Sequence, residues 1–478
     1  MGIQAHECPY SLIQRINSTI NYFNELMHVF FKNMKTFKIG GIHPKEYKLS
    51  AGQRIKTIAL PEQVVIPLAH YSGRPSESVV KRGDLVKVGQ LIGKADGYVS
   101  ANVHSSVSGK VAKVDVQLDA SGYKRPAVFI DVEGDEWLET IDLTTELERE
   151  CSFTKEEILT KIQSAGIVGL GGATFPAHVK LTPPPGKKAE VLIINGVECE
   201  PYLTCDHQLM MEKGEEIMVG ITILMKVLEV DKAIIGIENN KKNAVKHLSK
   251  IAESYPGILV QPLKVQYPQG GEKQLIDAIL NRQVPSGKIP IEIGTVVMNV
   301  ATTFAVYEAV QKEKPLIERV MTVSGKDVQN PGNYLVRLGI YLSEVVNQAG
   351  GIPEGTGKII GGGPMMGRSL MNLDVPMAKG SAGVVFLSDK DAVRCEDRNC
   401  IRCAKCVTVC PMGLEPYLLM NQSEREMWNE MERNRVMDCI ECGSCSYTCP
   451  SNRPLLDYIR YGKTSVGLRI RSRKAEEV

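Results

Sequence analysis

The sequence predicts a multidomain protein of α/β plus β architecture, and three features predict it. Residues from about 35 to 135 read as short strands broken by frequent turns. From Thr154 the chain alternates buried-type strands with helical stretches, the pattern of an open α/β sheet. Near the C-terminus two cysteine runs of identical spacing mark a small domain of their own. They are Cys400-x-x-Cys403-x-x-Cys406-x-x-x-Cys410-Pro411 and Cys439-x-x-Cys442-x-x-Cys445-x-x-x-Cys449-Pro450. A chain of 478 residues has room for about three or four domains of ordinary size.

Each cysteine run has the spacing by which bacterial four-iron clusters are held. Three thiolates two residues apart wrap one corner of a cubane. The Pro after the fourth cysteine turns the chain away, and in two-cluster domains that fourth thiolate serves the other cluster. One [4Fe-4S] cluster is therefore expected on Cys400, Cys403, Cys406 and Cys449, and the second on Cys439, Cys442, Cys445 and Cys410. A zinc site pairs two C-x-x-C units and needs no further ligand. A disulfide framework suits small secreted chains. Cys395 breaks the spacing and is expected to be a spare buried thiol.

Thiolates committed to metal suit a reducing compartment. The formal net charge of +2 favours neither nucleic acid nor a strongly charged partner. The longest apolar run, at about 217–230, is interrupted by Lys226 and is too short to cross a bilayer. No secretory signal with an A-x-A-like cleavage site is recognisable. The chain is expected to be soluble, or to rest on a membrane through partners.

In residues 1–33, Ile13, Ile16, Ile20, Phe23, Met27 and Phe30 recur at three- and four-residue spacing, which puts them on one helical face. Such a helix docks on a partner or a membrane interface. The plainer alternatives are a helix packed on its own protein, or an extension upstream of a start at Met34, and these are preferred. Residues 34–140 form the strand-rich unit, with apolar–polar alternation at 80–92 and again at 103–111. His104 has no second His or Cys beside it and reads as a turn or packing residue. Residues 142–150 are an acidic connection. Thr154-Lys155-Glu156-Glu157 is a capping box that starts a helix ending near Gly166.

The α/β unit, residues 150–312, opens on a loop containing Gly169, Gly171, Gly172 and Phe175. Glycines bare the backbone to a phosphate or planar ring and leave N–H groups free as donors. A tight structural turn is the alternative reading. Strands at 189–194, 232–237 and 294–298 run into polar residues at Asn195–Glu200, at Glu238–Lys241 and at Asn299–Thr302. The loop from Tyr267 to Lys273 precedes a helix from about Gln274. Open α/β sheets bind ligands at the carboxyl ends of their strands, so these groups are expected in one crevice. Residues 317–387 form a smaller module, with strands at 320–325 and 332–336 and a helix at 342–349. Its Gly361-to-Gly367 stretch lacks the Lys-Ser or Lys-Thr of a phosphate loop and reads as structural. The cluster domain spans 394–460. Its 28 residues between Cys410 and Cys439 suggest an exposed polar helix. The tail, 461–478, is basic from Arg469 to Lys474 and is expected to be disordered.

These stretches carry resemblances. Residues 80–111 resemble the flattened barrel of lipoyl and biotinyl domains. The tip Lys94-Ala95-Asp96-Gly97 lacks the cofactor-carrying context, so a structural barrel is expected. Residues 166–302 resemble the flavin- and NADH-binding Rossmann-like domain of the respiratory complex I flavoprotein, and 317–387 the β-grasp (SLBB-like) module that follows it. The twin cluster runs resemble a two-cluster ferredoxin. From Met34 to about Arg460 the chain resembles the RnfC family. Its members are components of the Rnf complex, a membrane-bound, ion-translocating ferredoxin:NAD oxidoreductase of bacteria. Gly40-Gly41-Ile42-His43-Pro44 and the stretch from Val103 to Gly109 carry part of that likeness.

The resemblance implies FMN on Gly169, Gly171, Gly172 and Phe175, with Asn195. It implies that Glu198 and Glu200 lie beside flavin and nicotinamide, that Gly271 and Glu272 lie at the nucleotide site, and that Asn299 and Thr302 lie near the flavin. The chain departs from the complex I pattern at Val197, where an acid is absent, and across Met298 to Thr302. It implies electron transfer between NAD(H), FMN and two [4Fe-4S] clusters, with no side chain acting as nucleophile or general acid. The implied partners are the membrane-spanning subunits and the ferredoxin-like member of the Rnf complex, with ferredoxin indirectly. The implied location is peripheral, on the cytoplasmic face of the cell membrane. A soluble reductase of the same architecture, acting on cobalamin or beside a hydrogenase, is the alternative, as is an electron-carrying module without nucleotide binding.

Overall fold

The structure is a computed structural model that describes residues 34–476. The helical face expected in residues 1–33 lies outside the described residues. The strand-rich unit consists of two small antiparallel sheets. One has the order Gln63–Pro67, Lys124–Val132, Gly109–Leu118 and Leu85–Val86; the other has Glu77–Ser78, Leu91–Lys94 and Val103–His104. Residues such as Val64, Ile66, Ile92, Val111, Val128 and Ile130 turn inward and are fully buried. Their core does not close on itself. It is continuous with Met321, Val323, Val336 and Val345 of the later module.

Residues 34–57 are not part of the barrel sheets. They form an extended strap over the rest of the molecule, and the stretch has Gly40-Gly41 and Pro44 in place of strand alternation. Lys56–Thr57 ends the strap as the edge strand of a six-stranded mixed sheet. That sheet continues with Gly332–Arg337, Glu318–Gly325, Gly383–Ser388, Thr356–Gly361 and Arg368–Ser369. Helix Leu342–Gln348 packs on it through the buried Val345 and Val346.

The α/β unit contains a four-stranded parallel sheet of order Ile258–Leu263, Ala233–Glu238, Val191–Asn195 and Thr295–Asn299. The capping box at Thr154 is present and opens helix Lys155–Ser164. Helix Gly214–Leu228 is buried on most of its surface, which explains its long apolar run. Among the described residues no helix is long and apolar enough to cross a membrane.

Three expectations for the C-terminal region need correction. The basic tail is ordered as part of one helix, Leu455–Glu476. Val466 and Ile470 pack into the cluster domain's core, and Arg473 makes a two-pronged bond to Glu432 at 2.7 and 2.6 Å. The segment between the cysteine runs forms two helices, Pro416–Glu424 and Trp428–Arg433. Their Leu419, Met420, Trp428 and Met431 are buried against the C-terminal helix, so this segment is a packing element. Cys395 is exposed, not buried.

A buried polar knot joins the barrel to the α/β unit. Lys379 is fully buried and donates to the carbonyls of Asn102 and Gly166, both at 2.8 Å. His70 and His104 are buried nearby; neither ring nitrogen of His70, nor Nδ1 of His104, has a hydrogen-bond partner among the described residues. Burial, then the Lys379 charge, pulls both rings below the ordinary histidine range, His104 to about 3. The folded state keeps these rings neutral while the unfolded chain takes up protons near pH 6.5. Stability is therefore complete above that pH and is lost as pH falls toward 3. His104 alone contributes a loss of about 2 kcal/mol between pH 6.5 and pH 5. The thermal midpoint is expected to fall over that interval, and His104→Gln is expected to flatten the slope.

Candidate functional site: a glycine-lined crevice beside a cysteine quartet

The crevice lies at the carboxyl edge of the parallel sheet. From Val191–Asn195 the chain crosses to Ala233–Glu238 on one side, while Thr295–Asn299 lies on the other. Such a switch point is where doubly wound sheets leave room for a ligand. Asn195 and Asn299 are paired across it in register. The glycine-rich loop lies over them. A Cβ on Gly171 would stand 3.2 Å from Asn299 Cβ, and Gly172, at φ +119°, faces open space. The Leu170 amide donates to Thr302 Oγ1 at 2.8 Å, and the Gly169 amide to the Phe175 carbonyl at 2.9 Å. Among the described residues the amides of Gly171, Gly172 and Ala173 donate to no protein acceptor. The loop thus offers free donors, a bare backbone and the exposed Phe175 ring.

Most polar residues predicted here act as framework. Asn195 Nδ2 donates to the Gly270 carbonyl at 2.9 Å and holds the loop that precedes helix Glu272–Leu280. Asn299 caps helix Val300–Gln311 and donates to Asp206 Oδ2 at 2.7 Å. Glu198 accepts the amides of Asp206 and His207 at 2.7 and 3.1 Å. Glu200 accepts the amides of Met365 and Met366 at 3.0 and 2.8 Å, which gives the Gly361-to-Gly367 stretch its role. Burial raises the Glu200 carboxyl to about 7, against the opposing pull of those amides and Lys48. Glu272 instead meets a charged side chain across the opening, Lys180 at 2.5 Å. Gly271 sits at the N-cap of the helix that Glu272 opens.

Four residues of this site escaped the sequence reading. Lys48, from the strap, donates to the carbonyls of Glu198, Glu200 and Leu203 at 2.8, 2.8 and 2.7 Å. Lys180 follows the glycine loop on the short helix Ala177–Lys180. Asp206 lies within 4.8 Å of both Glu198 and Cys205, and burial followed by the Glu198 charge raises its carboxyl. Arg319, from the six-stranded sheet, donates to the Leu170 carbonyl at 3.3 Å beneath the loop. Thr174 and Glu198 have φ of 49° and 47°, strained values of the kind that collect at binding sites.

The cysteine runs fold as a pseudo-symmetric pair. Helices Lys405–Thr408 and Ser444–Thr448 pack together. Equivalent positions in the two runs share left-handed backbone: Arg402 with Glu441, Ala404 with Gly443, and Gly413 with Asn452. Cys410, Cys439, Cys442 and Cys445 line one pocket whose other walls are mostly apolar, including Pro411, Leu414, Ile440 and Leu456. Cys410 thus joins the second run. Cys449 in turn lies near enough to Cys406 of the first run for its charge to raise that thiol, while Cys400 and Cys403 are exposed.

Burial raises the thiols of Cys410, Cys442 and Cys445, and Cys439 to about 12. Amides oppose it, as from Leu414 to Cys410 at 3.3 Å and from Glu441 to Cys439 at 3.4 Å. Four thiolates gathered in this largely buried pocket need a cationic core. The two-residue spacing of Cys439, Cys442 and Cys445 and the pocket they share with Cys410 fit a [4Fe-4S] core.

The buried quartet abuts the crevice. Tyr267, on the loop leading to Gly271 and Glu272, donates its hydroxyl to the Cys442 carbonyl at 2.8 Å. Gln274 donates to the Pro411 carbonyl at 3.2 Å, and Gly287 to Asp438 at 3.2 Å. Cys199, Ile42, Tyr267 and Cys442 share one small apolar core.

Four family models match the chain in order. They are the RnfC barrel sandwich hybrid domain at residues 35–135, the Nuo51 FMN-binding domain at 162–308, the SLBB domain at 320–369, and the 4Fe-4S dicluster domain at 392–450. The chain is 43% identical over 434 residues to the C component of a proton-translocating ferredoxin:NAD(+) oxidoreductase complex of Clostridium ljungdahlii, covering 90% of this chain and 94% of that one. It is 43% identical over 433 residues to the C component of a Na(+)-translocating ferredoxin:NAD(+) oxidoreductase complex of Acetobacterium woodii, covering 90% and 97%. A solved NAD+-reducing [NiFe]-hydrogenase chain aligns over 65% of this chain and 66% of its own, at 19% identity and a TM-score of 0.47.

Proposed function

This chain belongs to the RnfC family of ion-translocating ferredoxin:NAD(+) oxidoreductase complexes, and we propose on that footing how its residues divide the work. It is an electron-transfer subunit acting between NAD(H), FMN and two [4Fe-4S] clusters, coupled through partner subunits to ferredoxin. FMN supplies the conversion between two-electron nicotinamide chemistry and one-electron clusters. The free amides of Gly171, Gly172 and Ala173 hold its polar groups, and Phe175 flanks the opening. Lys180 and Glu272 orient the nucleotide. Asn195, Glu198, Glu200, Asn299 and Thr302 keep the walls in place. Lys48 fixes the loop that carries both Glu198 and Glu200.

The Cys410, Cys439, Cys442 and Cys445 quartet is the cluster next to the crevice. Cys400, Cys403, Cys406 and Cys449 hold the one that faces the partner. The observation that carries this order is the asymmetry of burial: in the quartet at the crevice wall three cysteines are buried and Cys439 is half-buried, while the other has two exposed ligands. The barrel and the six-stranded sheet, with their shared core, are the lipoyl-like and β-grasp modules. The protein sits peripherally on the cytoplasmic face of the membrane, beside the spanning subunits and the ferredoxin-like member of the complex.

The test is anaerobic purification followed by iron, sulfide and flavin analysis and an NADH titration of the absorbance. About eight iron, eight sulfide and one FMN per chain are expected, with flavin bleached by NADH. Full iron with no flavin released on denaturation rejects the reading.

A further inference from the structure

The Gly40-Gly41 turn of the strap lies where the crevice wall meets the cluster domain. On one side, the Gly41 amide donates to the Val409 carbonyl at 2.9 Å, inside the first cysteine run. On the other, Ile42 and Tyr267 exchange both backbone hydrogen bonds at 2.9 Å, and Gln266 Nε2 donates to the Gly40 carbonyl at 2.8 Å. Tyr267 closes the triangle through its bond to the Cys442 carbonyl. One short turn therefore touches the backbone of the buried quartet and the loop that leads to Gly271 and Glu272.

The turn has no slack. Gly40 and Gly41 have φ of +72° and +93°, a region that side chains disfavour. A Cβ on Gly40 would stand 2.6 Å from the Cys410 carbonyl carbon and oxygen and from the Val409 oxygen. These are backbone atoms and cannot swing aside. The strap is pinned before and after the turn, by Lys35 Nζ on the Ile279 carbonyl at 2.8 Å and by the three bonds of Lys48. Carbon atoms rest about 3.5–4.0 Å apart, so a methyl on Gly40 separates the two walls by about 1 Å.

We propose that the Gly40-Gly41 turn is a positioning element that sets the gap between the nucleotide loop and the Cys410 quartet, and with it the rate of electron crossing. This rests on the reading that flavin occupies the crevice. Electron crossing is tunnelling, and its rate falls steeply as the gap between donor and acceptor widens.

The test uses the full, cofactor-loaded chain mixed anaerobically with NADH. Flavin bleaching is followed by stopped-flow absorbance, and cluster filling by freeze-quench EPR. Gly40→Ala is expected to keep its iron and flavin, to reach the wild-type EPR spin count with dithionite, and to bleach its flavin normally. Its clusters are expected to fill several-fold more slowly. Its Gly41 and Tyr267 amides are expected to exchange faster with deuterium. Clusters that fill at the wild-type rate overturn the proposal. Should Gly40→Ala fail to load, Tyr267→Phe decides, since it keeps the ring and backbone pairing and removes the hydroxyl that reaches the Cys442 carbonyl and Glu200: slower filling at full loading supports the proposal, and unchanged filling overturns it. A wild-type chain whose flavin NADH does not bleach rejects the functional reading instead. Deuterium exchange then tests the turn alone, with unchanged protection in Gly40→Ala overturning it.

Discussion

Cys410→Ala and Cys439→Ala are expected to destroy the same cluster, although the two residues belong to different runs. Each variant should fall from about eight iron atoms per chain to about four, and each should lose the same EPR signal. Cys449→Ala, from the second run, should instead lose the signal lost by Cys400→Ala. The reason is the shared pocket: Cys410 lines it with Cys439, Cys442 and Cys445, while the charge of Cys449 acts on Cys406. If the quartets followed the runs, Cys410→Ala would group with Cys400→Ala. Cys410→Ala should also leave the surviving cluster almost unreduced by NADH, because the exposed quartet has lost its neighbour against the crevice. Iron analysis and EPR of the NADH-treated variants decide between the two pairings.

Gly172→Val should empty the crevice of flavin while the clusters stay intact. Gly172 has φ of +119°, which a β-branched residue can hardly adopt, and its open side is the space the loop offers to a ligand. The strain at such a position is about 1–3 kcal/mol, and the side chain adds bulk where the backbone was bare. FMN affinity should fall at least tenfold, which is about 1.4 kcal/mol. Titrating FMN into flavin-stripped protein measures this, with iron content as the control. Stoichiometric flavin in Gly172→Val would sink the assignment of the loop.

Much of this molecule is legible in the sequence because its signals are local. Cluster ligation needs thiolates at two-residue spacing, and that spacing survives on the page. The parallel strands Val191–Asn195, Ala233–Glu238 and Thr295–Asn299 announce themselves by short apolar runs ending in polar residues. The capping box at Thr154 is a four-residue signal and formed as expected. What escaped depends on partners far along the chain. Lys48 meets Glu198 about 150 residues on, and Arg319 reaches Leu170 from a different sheet. Neither lysine nor arginine carries a pattern that names its carbonyl.

The polar residues at the strand ends also hold the walls of the crevice together. Asn195, Asn299 and Thr302 spend their side chains on backbone groups and on Asp206. The basic tail misled because charge alone suggests a solvated coil. One apolar residue every few positions, Val466 and Ile470, was enough to seat it as helix.

The pairing of Lys56–Thr57 with Tyr334 and Leu335 bears on how the chain is made. An edge strand emerging early from the ribosome waits for a partner some 280 residues later. The first barrel residues also share their interior with that same late module. Assembly therefore cannot proceed strictly module by module as synthesis advances. Contacts of such long range close slowly. The early segments remain partly unsatisfied until translation is well past the halfway point, a window in which a nascent chain is prone to aggregate.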